Sequence, residues 1–281
     1  MTVAVTGASG QLGRLVVEAL LKEGASVVAV VRDPAKVADL AERGVDVRQA
    51  SYDDPAALDR AFAGVDRVLL VSGNEFGSRV AQHTNVVRAA ERAGVELLAY
   101  TSIPKAETNP MILAQEHRGT EAVLAEASVP TVLLRNDWYW ENFASGVQQA
   151  AQGGVLYGAA GAGRVSGAAR ADYAEAAAKV LTTDGHAGKV YELGGAPRTY
   201  DELAQAVSEV AGKPVRYQDL PQADYAAALE KAGLPADYAG VLADADAGIA
   251  NGVLDIDKGH LEQLLGRPAT PAAEVFRAVL G

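Results

Sequence analysis

Short apolar, β-branched runs recur along the first half of the chain, at residues 3–5, 27–31, 45–47, 68–71, 97–100 and 131–134. Nearly continuous apolar runs of this length predict strands buried on both faces, as in a parallel sheet. Between them lie segments with helical spacing, such as Leu12, Leu15, Val16, Ala19 and Leu20. Strands alternating with amphipathic helices predict an α/β fold with helices on both faces and right-handed crossovers. The punctuation agrees. Asp33-Pro34 and Asp54-Pro55 each read as an Asp cap followed by Pro at the first helical position. Gly24, Gly44, Gly64 and Gly94 stand where helices should stop.

Past Trp138 the rhythm changes. Residues 153–167 are rich in Gly and Ala and read as a loop around one short strand at 155–157. The run Gly158-Ala159-Ala160-Gly161-Ala162-Gly163 reads as mobile loop or solvent-exposed filler. A strand is expected at 189–193 and another near 215–217, among Ala-rich helical stretches. No Ser/Pro-rich linker divides the two regions.

Composition narrows the function. The 281 residues carry 36 acidic against 25 basic side chains, a net charge of −11. That balance argues against nucleic acid or an anionic membrane as the main partner, since a polyanion needs a basic face. Cysteine is absent, which excludes disulfides, thiolate catalysis and Cys-type metal sites, and fits a reducing, cytoplasmic setting. No apolar run reaches the roughly 18–20 residues of a membrane span. The first residues do not read as a secretory leader, because Gly7, Ser9 and Gly10 interrupt the apolar run at once. The four histidines, His83, His117, His186 and His260, show no metal-ligand spacing.

The first strand runs into Thr6-Gly7-Ala8-Ser9-Gly10-Gln11-Leu12-Gly13, a G-x-x-G-x-x-G spacing. Gly7 permits the tight turn, Gly10 permits close approach of a pyrophosphate, and Gly13 lets the helix pack against the strand. The helix start offers free N–H groups and a positive dipole end. The turn therefore predicts dinucleotide binding. Arg32 ends the second strand, where an acid would accept from a ribose 2′-OH and an Arg pairs with a 2′-phosphate. NADPH is the expected cofactor, with NADH the other candidate. Asp33, adjacent, reads either as that acid or, with Pro34 behind it, as the cap of the next helix.

These segments combine with Tyr100-Thr101-Ser102, Leu133-Leu134-Arg135-Asn136, Trp138-Tyr139, Glu141-Asn142, Arg170-Ala171-Asp172-Tyr173, Tyr191-Glu192-Leu193 and Leu242-Ala243-Asp244. On them the chain closely resembles the NmrA-like atypical short-chain dehydrogenase/reductases, specifically the type 2 NAD(P)H:quinone oxidoreductases, nearly end to end. The resemblance implies a Rossmann-type doubly wound parallel sheet with a smaller α+β C-terminal lobe. Residues 1–135, with 170–194 returning to them, would form the nucleotide-binding domain, and 136–169 with 195–281 the substrate lobe. It implies direct, flavin-independent hydride transfer to a small-molecule quinone held between the lobes, in a monomer or homodimer. Carried over, the cofactor contacts fall on Gly7, Ala8, Ser9, Gly10, Gln11 and Leu12, on Arg32, and on Gly73, Asn74 and Glu75. They continue on Asn136, Asp137, Trp138, Tyr139, Trp140 and Glu141, and on Ala168, Ala169, Arg170, Ala171, Asp172, Tyr173 and Ala174. One departure stands out. Related reductases often carry Asp where this chain has Ser51, so Asp53 either takes over the adenine contact or helps start the helix at Pro55.

The usual catalytic Tyr-x-x-x-Lys is missing: none of the ten tyrosines has Lys four residues later. The corresponding helix reads His117-Arg118-Gly119-Thr120-Glu121. A quinone needs less help than an alcohol or ketone, because its reduced form is a phenol-like oxyanion with a pKa of about 10. His117 is a candidate proton donor or orienting group, or else a surface histidine paired with Glu121. Ser102 stands in the catalytic-serine neighbourhood, or caps a turn before Pro104. Trp138, Tyr139, Trp140 and Phe143 follow a strand end, where they stack on nicotinamide or quinone or fill a core. Tyr139 completes the catalytic candidates. Two other readings stay open: an NADP(H)-binding sensor without turnover, and a reductase of another conjugated acceptor such as a dye or enone.

Overall fold

All the expected strands form. A computed structural model describes residues 1–256 and 258–281. Its strands are β1 (Thr2–Thr6), β2 (Ser26–Val31), β3 (Asp46–Gln49), β4 (Arg67–Leu70), β5 (Leu97–Ser102), β6 (Thr131–Asn136), β7 (Val155–Gly158), β8 (Arg164–Val165), β9 (Val190–Leu193), β10 (Arg198–Thr199) and β11 (Arg216–Asp219). The main helices of the first two-thirds are α1 (Gln11–Lys22), α2 (Ala38–Glu42), α3 (Pro55–Ala61), α4 (Arg79–Ala93), α5 (Ile112–Ala125), α6 (Ala144–Gly153) and α7 (Arg170–Thr182). The chain folds as two compact units: residues 1–103, 116–136 and 170–191 in one, and 104–115, 137–169 and 192–281 in the other.

The first unit is built on a seven-stranded sheet of order β3-β2-β1-β4-β5-β6-β9. The pairs β1–β2, β1–β4, β2–β3, β4–β5 and β5–β6 are parallel. Bonds from Leu133 N to Lys189 O and from Asp137 N to Leu193 O keep one offset, so β9 also runs parallel. The chain winds outward on both sides of β1, which puts the topological switch point between β1 and β4, at the carboxyl ends of the strands. One face is covered by α1, which packs on α7. On the other, Leu58 and Phe62 from the α3 region and Val86 and Val87 from α4 close over Val68, Leu70, Leu98 and Tyr100. Each such fully buried side chain contributes about 1.5–3 kcal/mol of transfer free energy.

Local chemistry set the helix boundaries as expected. Asp33 Oδ1 accepts from Ala35 N and Asp54 Oδ1 from Ala57 N, each just before a Pro. Gly94 caps α4 at φ +66°, a backbone conformation other residues adopt only under strain.

In the second unit β7 pairs parallel with β11, and β8 pairs antiparallel with β10. The Gly/Ala run corrects the expectation of a loose loop. Ala159 N donates to Asp246 Oδ2, Ala160 N to the Tyr217 hydroxyl and Gly161 N to Asp219 Oδ1. A Cβ on Gly163 would lie 2.2 Å from Ile249 O, so the small residues serve close packing here. Among the described residues no helix is long and apolar enough to cross a membrane.

Candidate active site

The turn from β1 to α1 has the geometry that its glycines predict. Gly7 takes φ +60°, and Gly10 N donates to Gly7 O. A Cβ on Gly13 would come within 2.4 Å of Gly7 O, so helix and turn approach too closely for any side chain. Gly10 is the N-cap, and no side chain caps α1. The first-turn N–H groups are thus left to a ligand, with the helix dipole favouring an anion. Ala8 is fully buried and donates its amide to Val30 O, while Ser9 and Gln11 face solvent. This cradle fits a pyrophosphate.

Thr6 ties β1 to β4: its hydroxyl donates to Leu69 O and accepts from Val71 N. The Tyr52 hydroxyl closes the cluster, 2.6 Å from Thr6 Oγ1 and 2.9 Å from Val71 O. Burial pushes that phenol well above its usual range. Arg32 projects from the end of β2 with its side chain 69% exposed, as a phosphate-reading cation requires. Glu75, in the segment after β4, lies 2.6 Å from Arg32 Nη1. Gly73, in the same segment, donates its amide to His83 Nε2 at 3.0 Å, and His83 Nδ1 meets Thr120 Oγ1 at 2.9 Å. Because Nε2 accepts and Thr120 donates to Glu116 O, the Nδ1 proton lies toward Thr120. Burial, with Arg79 nearby, pulls the His83 pKa down to about 3, so the imidazole is neutral at physiological pH.

Asp53 does not cap α3; Asp54 does. Both oxygens of Asp53 instead lie 3.2 Å from Gln82 Nε2, and Oδ2 lies 3.4 Å from Ser51 Oγ.

At the end of β5 the candidates separate. His117 Nδ1 lies 2.8 Å from the Tyr100 hydroxyl, so the i,i+4 pairing of His117 with Glu121 gives way to a partner from the sheet. Glu121 is engaged elsewhere: Arg135 from β6 grips both its oxygens, at 2.9 and 2.5 Å, and Ser102 donates to it at 2.5 Å. Ser102 therefore spends its hydroxyl proton on a buried ion pair. His117 is partly exposed, and burial with the nearby Arg79 and His83 holds its pKa at about 3. Arg79 is buried and 3.6 Å from Glu116.

In the second unit the backbone brings two expected segments together. Ala168 N donates to Trp138 O and Trp140 N to Ala168 O, around a parallel bridge between Tyr139 and Ala168. Trp140 is buried against Phe143, and a Cβ on Gly167 would meet its ring at 2.5 Å. Phe143 in turn meets the edges of Tyr200 and Phe276. Trp140 belongs to the core; Trp138, Tyr139 and Phe143 are partly exposed. Asp137 is buried, with Oδ1 accepting from Trp138 N and Oδ2 without a hydrogen bond, and burial raises its pKa well above the carboxylate range. Asn136 ends β6 in the first unit, and Ala168 and Ala169 are buried in the second. Arg170, Ala171, Asp172, Tyr173 and Ala174 form the first turns of α7, with Asp172 fully buried at its positive end.

Sequence reasoning missed Tyr52, Arg79, His83, Gln82 and Arg135. The only local signal was polarity on apolar helix faces and strands; the partners just described lie 10 to 46 positions away.

Residues 1–260 match the NmrA-like family. The chain is 48% identical over 275 residues to Quinone oxidoreductase 2 of Escherichia coli K12, spanning 97% of this chain and 96% of that protein. The NADPH complex of the E. coli NADPH-dependent quinone oxidoreductase shares its fold with a TM-score of 0.95, at 47% identity over 99% of this chain and 100% of that one. The Citrobacter triphenylmethane reductase bound to NADP(H) does so with a TM-score of 0.94, at 38% identity over 99% of this chain and 100% of that one. The chain belongs to the NmrA-like family.

Proposed function

We propose that this protein reduces quinones with NADPH, by direct hydride transfer and without flavin. The observation that carries the reading is the end-to-end likeness to an NADPH-dependent quinone oxidoreductase, joined here to an uncapped glycine turn and an exposed Arg32. When bound, NADPH supplies a hydride from its nicotinamide. The chain does the rest. First-turn N–H groups of α1 hold the pyrophosphate, and Arg32 reads the 2′-phosphate. His83 fixes the 73–75 segment through the Gly73 amide. Asn136 and residues 170–174, in the same unit as the turn, are the further cofactor contacts in this reading.

Quinone reduction leaves an oxyanion of pKa about 10, so no strong acid is required. His117, neutral and partly exposed, orients the acceptor as a hydrogen-bonding group backed by Tyr100. Ser102 positions α5 through Glu121. Tyr139, in the second unit, keeps a partly exposed aromatic ring of the kind that stacks on flat rings. The setting that goes with a diffusible nucleotide and a small-molecule acceptor is the cytoplasm, with the protein as monomer or homodimer.

The test is a stopped-flow assay on purified, flavin-free protein. NADPH oxidation with benzoquinone or naphthoquinone is the expected result, and its absence would overturn the reading. The likeness to triphenylmethane reductase supports a second reading, a dye as acceptor. A kcat/KM for a triphenylmethane dye exceeding that for every quinone tested would favour it.

A further inference from the structure

The carboxylate beside Arg32 bears on cofactor choice. Glu75 Oε1 lies 2.6 Å from Arg32 Nη1, and its other oxygen accepts from Gln82 Nε2 at 2.8 Å. Gln82 is only 5% exposed and sits in the first turns of α4, so it is an anchored donor. Its Nε2 also lies 3.2 Å from both oxygens of Asp53. Glu75 is thus held at both oxygens, and a second carboxylate is kept close by through the same amide. Arg32 is fixed from behind, its main-chain oxygen accepting from Gln49 Nε2 at 3.0 Å. Hydrogen bonds from Gln82 and Arg32 keep the Glu75 carboxyl below its usual range, so it is ionised at neutral pH.

A 2′-phosphate and a 2′-hydroxyl meet this arrangement differently. The phosphate is a dianion with acceptor oxygens only, so it shares Arg32 with a carboxylate and lies near like charge. The hydroxyl of NADH can donate to a carboxylate, which costs nothing in repulsion. We infer that Glu75 is a specificity-determining residue that acts on Arg32 to narrow the preference for NADPH over NADH. The inference rests on the cofactor reading above and deepens it.

Calorimetric titration of NADPH and of NADH into wild-type protein and Glu75→Gln tests it at low salt, where exposed charges are least screened. An exposed ion pair of this kind changes an equilibrium constant by roughly twofold to fivefold. The expected result is a Kd for NADPH that falls by about that factor in E75Q, with the Kd for NADH unchanged or higher. The Kd(NADH)/Kd(NADPH) ratio then rises. A ratio that is unchanged or lower, with wild-type binding intact, would overturn the inference alone. Wild-type protein that binds neither nucleotide would overturn the cofactor reading, and this inference with it.

Discussion

In the reading proposed above, Arg32 distinguishes two cofactors that differ by one phosphate. Its guanidinium is exposed at the end of β2, so it acts through a charge-assisted contact and not through packing. Replacing it with Ala is expected to raise the Kd for NADPH about tenfold, the worth of such a contact, and to leave NADH within about twofold. Equal losses for both nucleotides in calorimetry would show that Arg32 does not read the 2′-phosphate. His117 supports a second prediction. Its folded pKa of about 3 keeps the ring neutral across pH 6–8. The kcat/KM for a quinone should therefore show no inflection near 6.5, the ordinary histidine value. Activity falling as pH rises through 6.5 would mean that an imidazolium donates the proton. Arg32 was legible in the sequence because a strand end and its charge are local. The partner of His117 was not. Helical spacing offers Glu121, but the buried Arg135 claims that carboxylate, and Tyr100 arrives from the neighbouring strand.

The element that matters most is α1 with the turn before it. A methyl group at Gly13 meets backbone, not a flexible side chain, so relief requires moving the turn itself. Gly13→Ala should cost about 1–3 kcal/mol, as overpacking does, and abolish nucleotide binding. Denaturant midpoints and calorimetry measure both; an unchanged midpoint with unchanged affinity would refute the argument. Elements whose cause is local were readable. Strands β1, β2 and β4 to β6 show as apolar runs, and the caps Asp33 and Asp54 as Asp-Pro; β3, Asp-Val-Arg-Gln at the sheet edge, has no buried residue and departs from the expectation of strands buried on both faces. The 158–163 run was not, because its amides find acceptors on Tyr217, Asp219 and Asp246, far along the chain. Gly and Ala carry no side chain with which to advertise such partners.

At the scale of the molecule, buried titratable groups set how stability follows pH. His83 is fully buried, with its pKa lowered from 6.5 to about 3. Below pH 6.5 the unfolded chain takes up a proton that the native ring refuses. Its contribution to stability is thus present above 6.5 and is lost as pH falls toward 3, at about 1.4 kcal/mol per unit. Asp246 runs the other way: burial raises its pKa to about 6, so the native state gains relative stability as pH falls from 6 to 3.8. The net charge of −11 adds self-repulsion that acid relieves. Comparing wild type with His83→Gln separates these effects. Between pH 7.5 and 5.5 the wild type should lose about 1.4 kcal/mol more than the variant in urea titrations. Parallel pH profiles would show that His83 is protonated or exposed in the folded state.

By itself, the sequence determined the alternation of strands and helices, the glycine turn and the cation after the second strand. Each depends on residues within a few positions of one another, where backbone sterics and periodicity decide. Only the tertiary structure decided that Glu75 answers Arg32, that Asp53 answers Gln82 and not an adjacent helix, and that His83 holds the loop after β4. A polar side chain takes its partner from whatever the fold brings within reach, whether packing removes it from water, as with His83, or leaves it at the surface, as with Arg32 and Asp53, and no local rule names that partner in advance.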